Sequence, residues 1–144
     1  MIYTPLTKIA LRICYNAHAG QLDKGDMPYV FHPYHLAEQM KDEITTAAAL
    51  LHDVIEDTEY TFDDLRKAGI PERVLEIVAL LTHDESVPYM DYIAAMKHDP
   101  DAVTIKLADL THNSDLTRSE VVTEKELKRI EVYKQAYKLL TEND

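Results

Sequence analysis

The chain is poor in the features that build disulfide scaffolds, sheets, membrane spans or polyanion-binding surfaces. A single cysteine, Cys14, leaves no internal disulfide framework and points to a reducing compartment. It falls on the apolar face of a helical pattern, where it reads as a small buried hydrophobe. Three glycines in 144 residues, with apolar positions recurring every third or fourth residue, leave weak strand signals and strong helical ones. No apolar run approaches the roughly 18 residues of a membrane span, and no signal-peptide pattern is present, so a cytoplasmic protein is expected. Only 15 Lys and Arg stand against 26 Asp and Glu, a formal charge of -11. That balance argues against DNA, RNA or an anionic membrane as partner, because each needs a basic footprint. An anionic substrate must then be met by a local group of cations.

What remains is an all-α pattern. At this length one domain, residues 1–144, buries about 70% of the surface that the unfolded chain exposes. No repeat or linker divides it. Thr4 and Pro5 read as the cap and first residue of a helix to about His18, with Leu6, Ile9, Ala10, Ile13 and Ala17 inward. Gly20 to Phe31 reads as a loop that delivers His32 to a short helix opened by Pro33. A third helix is expected from about Ile44 to Ile55. Thr61 and Asp64 form a capping-box pattern before a short helix stopped by Gly69. Further helices begin at Pro71, at Pro88 and after Asp99. The last runs from about Thr123 to Thr141, with Leu127, Ile130, Tyr133, Tyr137 and Leu140 as its repeating stripe. Eight helical segments joined by short polar turns predict a compact multi-helix domain.

The chemistry lies in residues 49–58, Ala-Leu-Leu-His-Asp-Val-Ile-Glu-Asp-Thr. Burying the His52 imidazole and neighbouring carboxylates among Ala47, Leu50, Leu51 and Ile55 costs several kcal/mol unless something replaces the lost solvation. A bound cation is the economical replacement. On a continuous helix His52 and Asp53 point about 100° apart, while 52 and 56, and 53 and 57, share faces, so all four side chains can border one cavity. Glu56 and Asp57 near a helix C-terminus oppose the macrodipole, which weakens a purely structural reading of them. A lone His-Asp dipeptide is common. His32 and Asp109, the latter within the apolar run Ile105 to Leu110, are the best further candidates for ligands. Two imidazoles and two carboxylates suit a borderline divalent metal such as Mn, Fe, Co or Zn.

The ordered set His32, His52-Asp53 and Asp109 resembles the HD-domain metal-dependent phosphohydrolase superfamily. Longer stretches, His18-Ala19-Gly20-Gln21, Pro28 to Pro33, Ala48 to Thr58 and Ile105 to Asp109, resemble the hydrolase domain of the RelA/SpoT alarmone enzymes and the small stand-alone Mesh1-like hydrolases. The resemblance implies one metal, usually Mn, held by His32, His52, Asp53 and Asp109. It implies that Glu56 and Asp57 orient or deprotonate the attacking water and that Asn113 contacts substrate. The implied reaction removes the 3′-pyrophosphate of a small phosphorylated nucleotide, guanosine 3′,5′-bis(diphosphate). A nucleotidase or a phosphatase of a phosphorylated cofactor is the alternative for the same site. A catalytically silent nucleotide-binding module is the alternative of another class.

Three positions depart from the alarmone pattern. Asp23-Lys24 stands where Arg-Lys is usual, Asp109-Leu110-Thr111-His112-Asn113 replaces Asp-Arg-Leu-His-Asn, and Asp115 takes the place of a basic residue. Carboxylates there oppose a polyphosphate by about 1 kcal/mol each in a solvated pocket. Lys24, Lys106 and Arg118 remain as candidate phosphate or base contacts, and Tyr29 as the tyrosine nearest the pocket. The other tyrosines fall mainly at core spacing. His18 reads as a group that orients the loop or a carboxylate, and His112 either faces the cavity or serves packing. His35 is set aside as a ligand, as are His83 and His98 near predicted helix ends.

Overall fold

The computed structural model describes residues 1–143, and these form nine α-helices and one 3-10 turn. They are α1 (Pro5–Ala17), α2 (Phe31–Glu38), α3 (Glu43–Leu51), α4 (Val54–Asp57), α5 (Phe62–Lys67), α6 (Glu72–Leu81), α7 (Tyr89–Met96), α8 (Pro100–Asn113) and α9 (Glu124–Thr141), with the turn at Leu116–Arg118 before α9. The predicted all-α class is observed. Among the described residues the one β-like feature is an isolated bridge between Leu22 and Pro28 in the α1–α2 loop.

Local chemistry sets most helix starts. Thr4 and Thr7 satisfy each other's backbone N–H groups at the head of α1, where Pro5 needs no partner for its nitrogen. Thr61 and Asp64 do the same for α5, which Gly69 ends with φ at +99°. Asp99 caps α8 through the N–H groups of Asp101 and Ala102, and Thr123 caps α9 through that of Glu126.

The core is built round α3, which packs against α1, α2, α6 and α8. Ala47, Ala48, Ala49, Leu50 and Leu51 are all fully buried. The alanines let neighbouring helices approach closely, and truncating Leu50 or Leu51 to Ala is expected to cost about 2–5 kcal/mol. Because α2 and α8 both lie on α3, residues at the ends of these three helices converge.

Three features differ from the sequence reading. The third helix is not continuous to Ile55. It ends at Leu51, His52 is its cap, and Asp53, at φ -105° and ψ 0°, starts the single turn of α4. The His52 imidazole donates from Nδ1 to the Ala49 carbonyl at 2.6 Å, taking the acceptor that a continuing helix would give to the Asp53 N–H. Second, α2 begins at Phe31, so His32 lies within its first turn. Third, Leu127 and Tyr137 are exposed on α9, while Ile130, Ala136 and Leu140 make its buried stripe. Tyr3 and Tyr15 are exposed as well, so fewer tyrosines pack in the core than their spacing implied.

Candidate active site

Four helix ends deliver the titratable groups. His32 comes from the first turn of α2, His52 and Asp53 from the break between α3 and α4, and Asp109 from α8. His32, His52 and Asp109 are each at least 95% removed from solvent. His32 Nε2 stands 2.8 Å from Asp109 Oδ1 and 3.9 Å from Asp53 Oδ2. His52 Nε2 stands 3.0 Å from Asp53 Oδ2 and 3.5 Å from Asp109 Oδ1. The four residues proposed as ligands from sequence are thus brought together. Approaches of this kind need positive charge between the atoms, supplied by a proton or by a cation.

The donor set fits a divalent cation. One ligand atom from each of His32, His52 and Asp109 lies within 4.8 Å of the others. Nδ1 of His52 is committed to Ala49, and its Nε2, although close to both carboxylates, is buried without an aligned hydrogen bond. An imidazole fixed through one nitrogen with the other aimed into a cluster is the arrangement that metal ligands require. His32 is held similarly, its Nδ1 lying 2.7 Å from Nδ1 of His112. The tautomer that frees Nε2 of His32 is the one whose Nδ1–H donates to His112. Burial and the nearby Arg118 charge push His112 down to about 4, which keeps it neutral and able to accept.

Neighbouring groups tune the cluster. Burial would pull His52 down, yet Asp53 and Asp109 together hold it well above the ordinary histidine range. Burial likewise opposes ionisation of Asp109, but Lys106 and the two imidazoles hold it well below the carboxylate range. Lys106 Nζ reaches Asp109 Oδ2 at 2.8 Å, and Asn113 Nδ2 reaches Asp109 Oδ1 at 3.0 Å, from one turn either side on α8. Tyr29 donates its hydroxyl to Asp53 Oδ2 in a short contact.

A cavity of about 210 Å³ opens beside this cluster, lined by Tyr29, Asp53, Glu56, Asp57, His83, Lys106, Asp109, Asn113 and Tyr133 among others. Glu56 accepts the His83 N–H at 2.6 Å. Partial burial, then the Asp53 charge, raises both Glu56 and Asp57, the latter to about 6 with Glu56 adding to the push. A carboxylate poised near neutrality beside a water-accessible space is suited to take a proton. Gln21 links this edge to α1, its Oε1 accepting from His18 Nδ1 at 2.8 Å and its side-chain N–H donating to the Asp57 carbonyl at 3.1 Å.

The predicted substrate contacts divide between two spaces. Tyr29, Lys106 and Asn113 border the 210 Å³ cavity. Lys24 and Arg118 line an adjoining cavity of about 290 Å³ that shares Tyr29, Asn113 and Tyr133 with the first. Neither cation is unengaged. Lys24 Nζ donates to the Asn113 carbonyl at 3.0 Å and to Glu126 at 2.8 Å, while Arg118 holds the His112 carbonyl at 2.8 Å and faces Asp23 at 3.4 Å. Asp23 also accepts the N–H groups of Gly25 and Met27, and Asp115 caps the 3-10 turn through Thr117. Both carboxylates that break the alarmone pattern therefore shape loops.

Sequence reasoning missed several residues here. His83, set aside as a helix-end imidazole, lines the cavity and stacks on Tyr92 at 4.7 Å. Tyr133 was read as core, and its regular spacing on α9 gave no sign that this face lines the cleft. Glu126 and Arg129 drew no attention because nothing local marks them. His112 and His18 lie where a structural reading and a site reading overlap, next to His32 and Tyr29.

A family model for the HD domain matches residues 10–137. The chain belongs to the HD-domain family. HD-domain membership implies a divalent metal, and the cluster of His32, His52 and Asp109 offers the place for it. This HD domain is 37% identical over 118 residues to the bifunctional (p)ppGpp synthase/hydrolase SpoT of Escherichia coli K12, an alignment covering 72% of the chain and 17% of that protein. It is 36% identical over 117 residues to a GTP pyrophosphokinase of Streptomyces coelicolor, covering 72% of the chain and 14% of that protein. The chain thus spans less than a fifth of the length of these curated relatives. A solved structure described as a metazoan ortholog of SpoT that hydrolyzes ppGpp and plays a role in starvation responses superposes with a TM-score of 0.77 at 26% identity, covering 98% of the chain and 88% of that one.

Proposed function

We propose that this HD domain is a metal-dependent phosphohydrolase that removes the 3′-pyrophosphate from guanosine 3′,5′-bis(diphosphate), with Mn as the working metal. The observation that carries this reading is the placement of two carboxylates with raised pKa, Glu56 and Asp57, on the same cavity as Asp53 and Asp109, the two carboxylates that the His32 and His52 imidazoles approach from behind. The names of the relatives supply the substrate. Relatives called guanosine-3′,5′-bis(diphosphate) 3′-pyrophosphohydrolase are 37% identical over 118 residues.

His32, His52, Asp53 and Asp109 would hold the cation. When bound, it supplies Lewis acidity towards water and the phosphoryl group. Asp57, with Glu56 beside it, receives the proton of the attacking water, whose oxygen goes to phosphorus as the bond to the ribose 3′ oxygen breaks and that oxygen takes up a proton from solvent to leave as the hydroxyl. Lys106 lines the cavity with its ammonium over the rings of Tyr89 and Tyr92, where its charge meets the phosphoryl oxygens. Asn113, tied to Asp109, presents its amide beside them. The whole chain acts as one domain on a small nucleotide in the cytoplasm, with no role for DNA, RNA or a membrane. No helix among the described residues is long and apolar enough to cross a membrane.

A second reading keeps the site and changes the substrate to a nucleotide or phosphorylated cofactor with less charge. It is favoured by the pairing of Lys24 with Glu126 and of Arg118 with Asp23. A panel of guanosine alarmones, deoxynucleotides and phosphorylated dinucleotides assayed with Mn separates the two. Pyrophosphate release from the alarmone at the highest kcat/KM is expected, and its absence rejects the first reading. Loss of turnover in an E56Q/D57N variant that still binds metal distinguishes both from a silent binding module.

A further inference from the structure

We propose that Glu126 is a specificity-determining residue of the cleft, selecting against negative charge on the part of the ligand that enters the 290 Å³ cavity. The inference rests on the cleft being a nucleotide site. Lys24 lines that cavity, and its ammonium is already shared between the Asn113 carbonyl at 3.0 Å and Glu126 Oε1 at 2.8 Å. Ser119 donates its hydroxyl to the same Glu126 oxygen in a short contact, so the carboxylate is anchored from two sides. It is largely withdrawn from water, with 12% of its side chain exposed. Arg118 is paired in the same cavity with Asp23.

A phosphate taken up by Lys24 must displace Glu126 from it, and Arg129, which also lines this cavity, has its charge partly offset by the same Glu126 carboxylate. The phosphate exchanges one ion pair for another and is left beside a carboxylate that has lost its partner. A neutral group meets no such exchange. A base or ribose can hydrogen-bond to the oxygens where they stand and lie against the rings of Tyr29 and Tyr133. Charge is therefore steered to the 210 Å³ cavity beside Lys106, and the uncharged end of the ligand to the space under Glu126.

Guanosine 3′-monophosphate and guanosine 3′,5′-bisphosphate test this, since they differ only in a second phosphate. Their dissociation constants are measured by calorimetry with Mn-loaded wild type, E126Q, E126A, K24M and the K24M/E126Q double variant. E126Q and E126A should bind the bisphosphate about three- to tenfold more tightly, the gain of one unopposed charge pair. Binding of the monophosphate should stay within twofold, and the gain should vanish when Lys24 is Met. An unchanged or weakened bisphosphate, an equal gain for both ligands, a gain that persists in the K24M background, or no binding of either ligand overturns the proposal. Binding is read without turnover, so failure of alarmone hydrolysis and failure of the role of Glu126 are told apart.

Discussion

Lys106 Nζ stands 2.8 Å from Asp109 Oδ2 across one turn of α8, and both side chains are largely out of water. Removing one partner of a buried pair leaves an uncompensated charge, at a cost of about 3–5 kcal/mol. K106M should therefore melt about 10 °C below wild type in the absence of added metal, taking about 2–4 °C per kcal/mol for a chain of this size. Added Mn should narrow the gap, because the cation takes over the neutralisation of Asp109. Differential scanning calorimetry with and without Mn measures both. Equal melting temperatures without metal would contradict the assigned pairing.

Metal should stabilise the fold by mass action. At a hundred times the dissociation constant, linkage gives about 2.7 kcal/mol, and chelation should remove it. H52A and D109N should lose this metal-dependent rise in melting temperature. D57N should retain it, because Asp57 stands outside the cluster of His32, His52 and Asp109. A rise that survives in H52A would place the cation elsewhere.

Asp57 sets an acid limb. Its pKa is raised to about 6 by partial burial and by the charges of Asp53 and Glu56. As a proton acceptor it must be ionised, so kcat/KM should climb with pH through a midpoint at or below about 6, a bound cation drawing the midpoint down by offsetting Asp53. In D57N the limb should disappear along with most of the activity. A pH profile with the same limb in D57N would remove Asp57 from the mechanism.

The same shift has a stability counterpart. A carboxyl whose folded pKa lies above its unfolded value favours the fold fully below the unfolded value, near 3.9, and this is lost as pH rises through about 6. Without metal, D57N should then melt above wild type at pH 7 and match it at pH 3.5. Solvent at the rim screens the effect, so the difference is expected to be a few degrees at most.

Tyr29 donates to Asp53 Oδ2 and shares its ring face with His18 and His32. Removing a hydrogen bond that orients a ligating carboxylate typically weakens metal affinity about 10- to 100-fold. Y29F, which keeps the ring and drops only the hydroxyl, should weaken Mn binding within that range with little change in melting temperature of the metal-free protein. Calorimetric titration with Mn decides it.

How much of this was legible depended on how local its cause was. The caps at Thr4, Thr61 and Asp99 act within three residues, and each is readable, while Thr123, expected as the first residue of the last helix, is its cap. The ligands stood out because His52, Asp53 and Asp109 sit in apolar runs where charge needs a reason. The break after Leu51 was not readable, since the His52 imidazole competing for the Ala49 carbonyl is a matter of rotamer. Tyr133 kept the periodicity of a core residue because α9 lines both core and cleft. His83 acts on Glu56 through its backbone N–H, which any residue but Pro supplies. Glu126 and Lys24 are 102 residues apart, a pairing beyond the reach of local pattern.

Junctions between helices are where chains ordinarily absorb insertions and deletions. The junction of α3 and α4 cannot. One residue added between His52 and Asp53 would turn one ligand away from the other while leaving every helix intact. The chain's least editable stretch is therefore a gap between secondary-structure elements. A protein engineer wishing to graft or permute this domain should treat His52-Asp53 as a single rigid part.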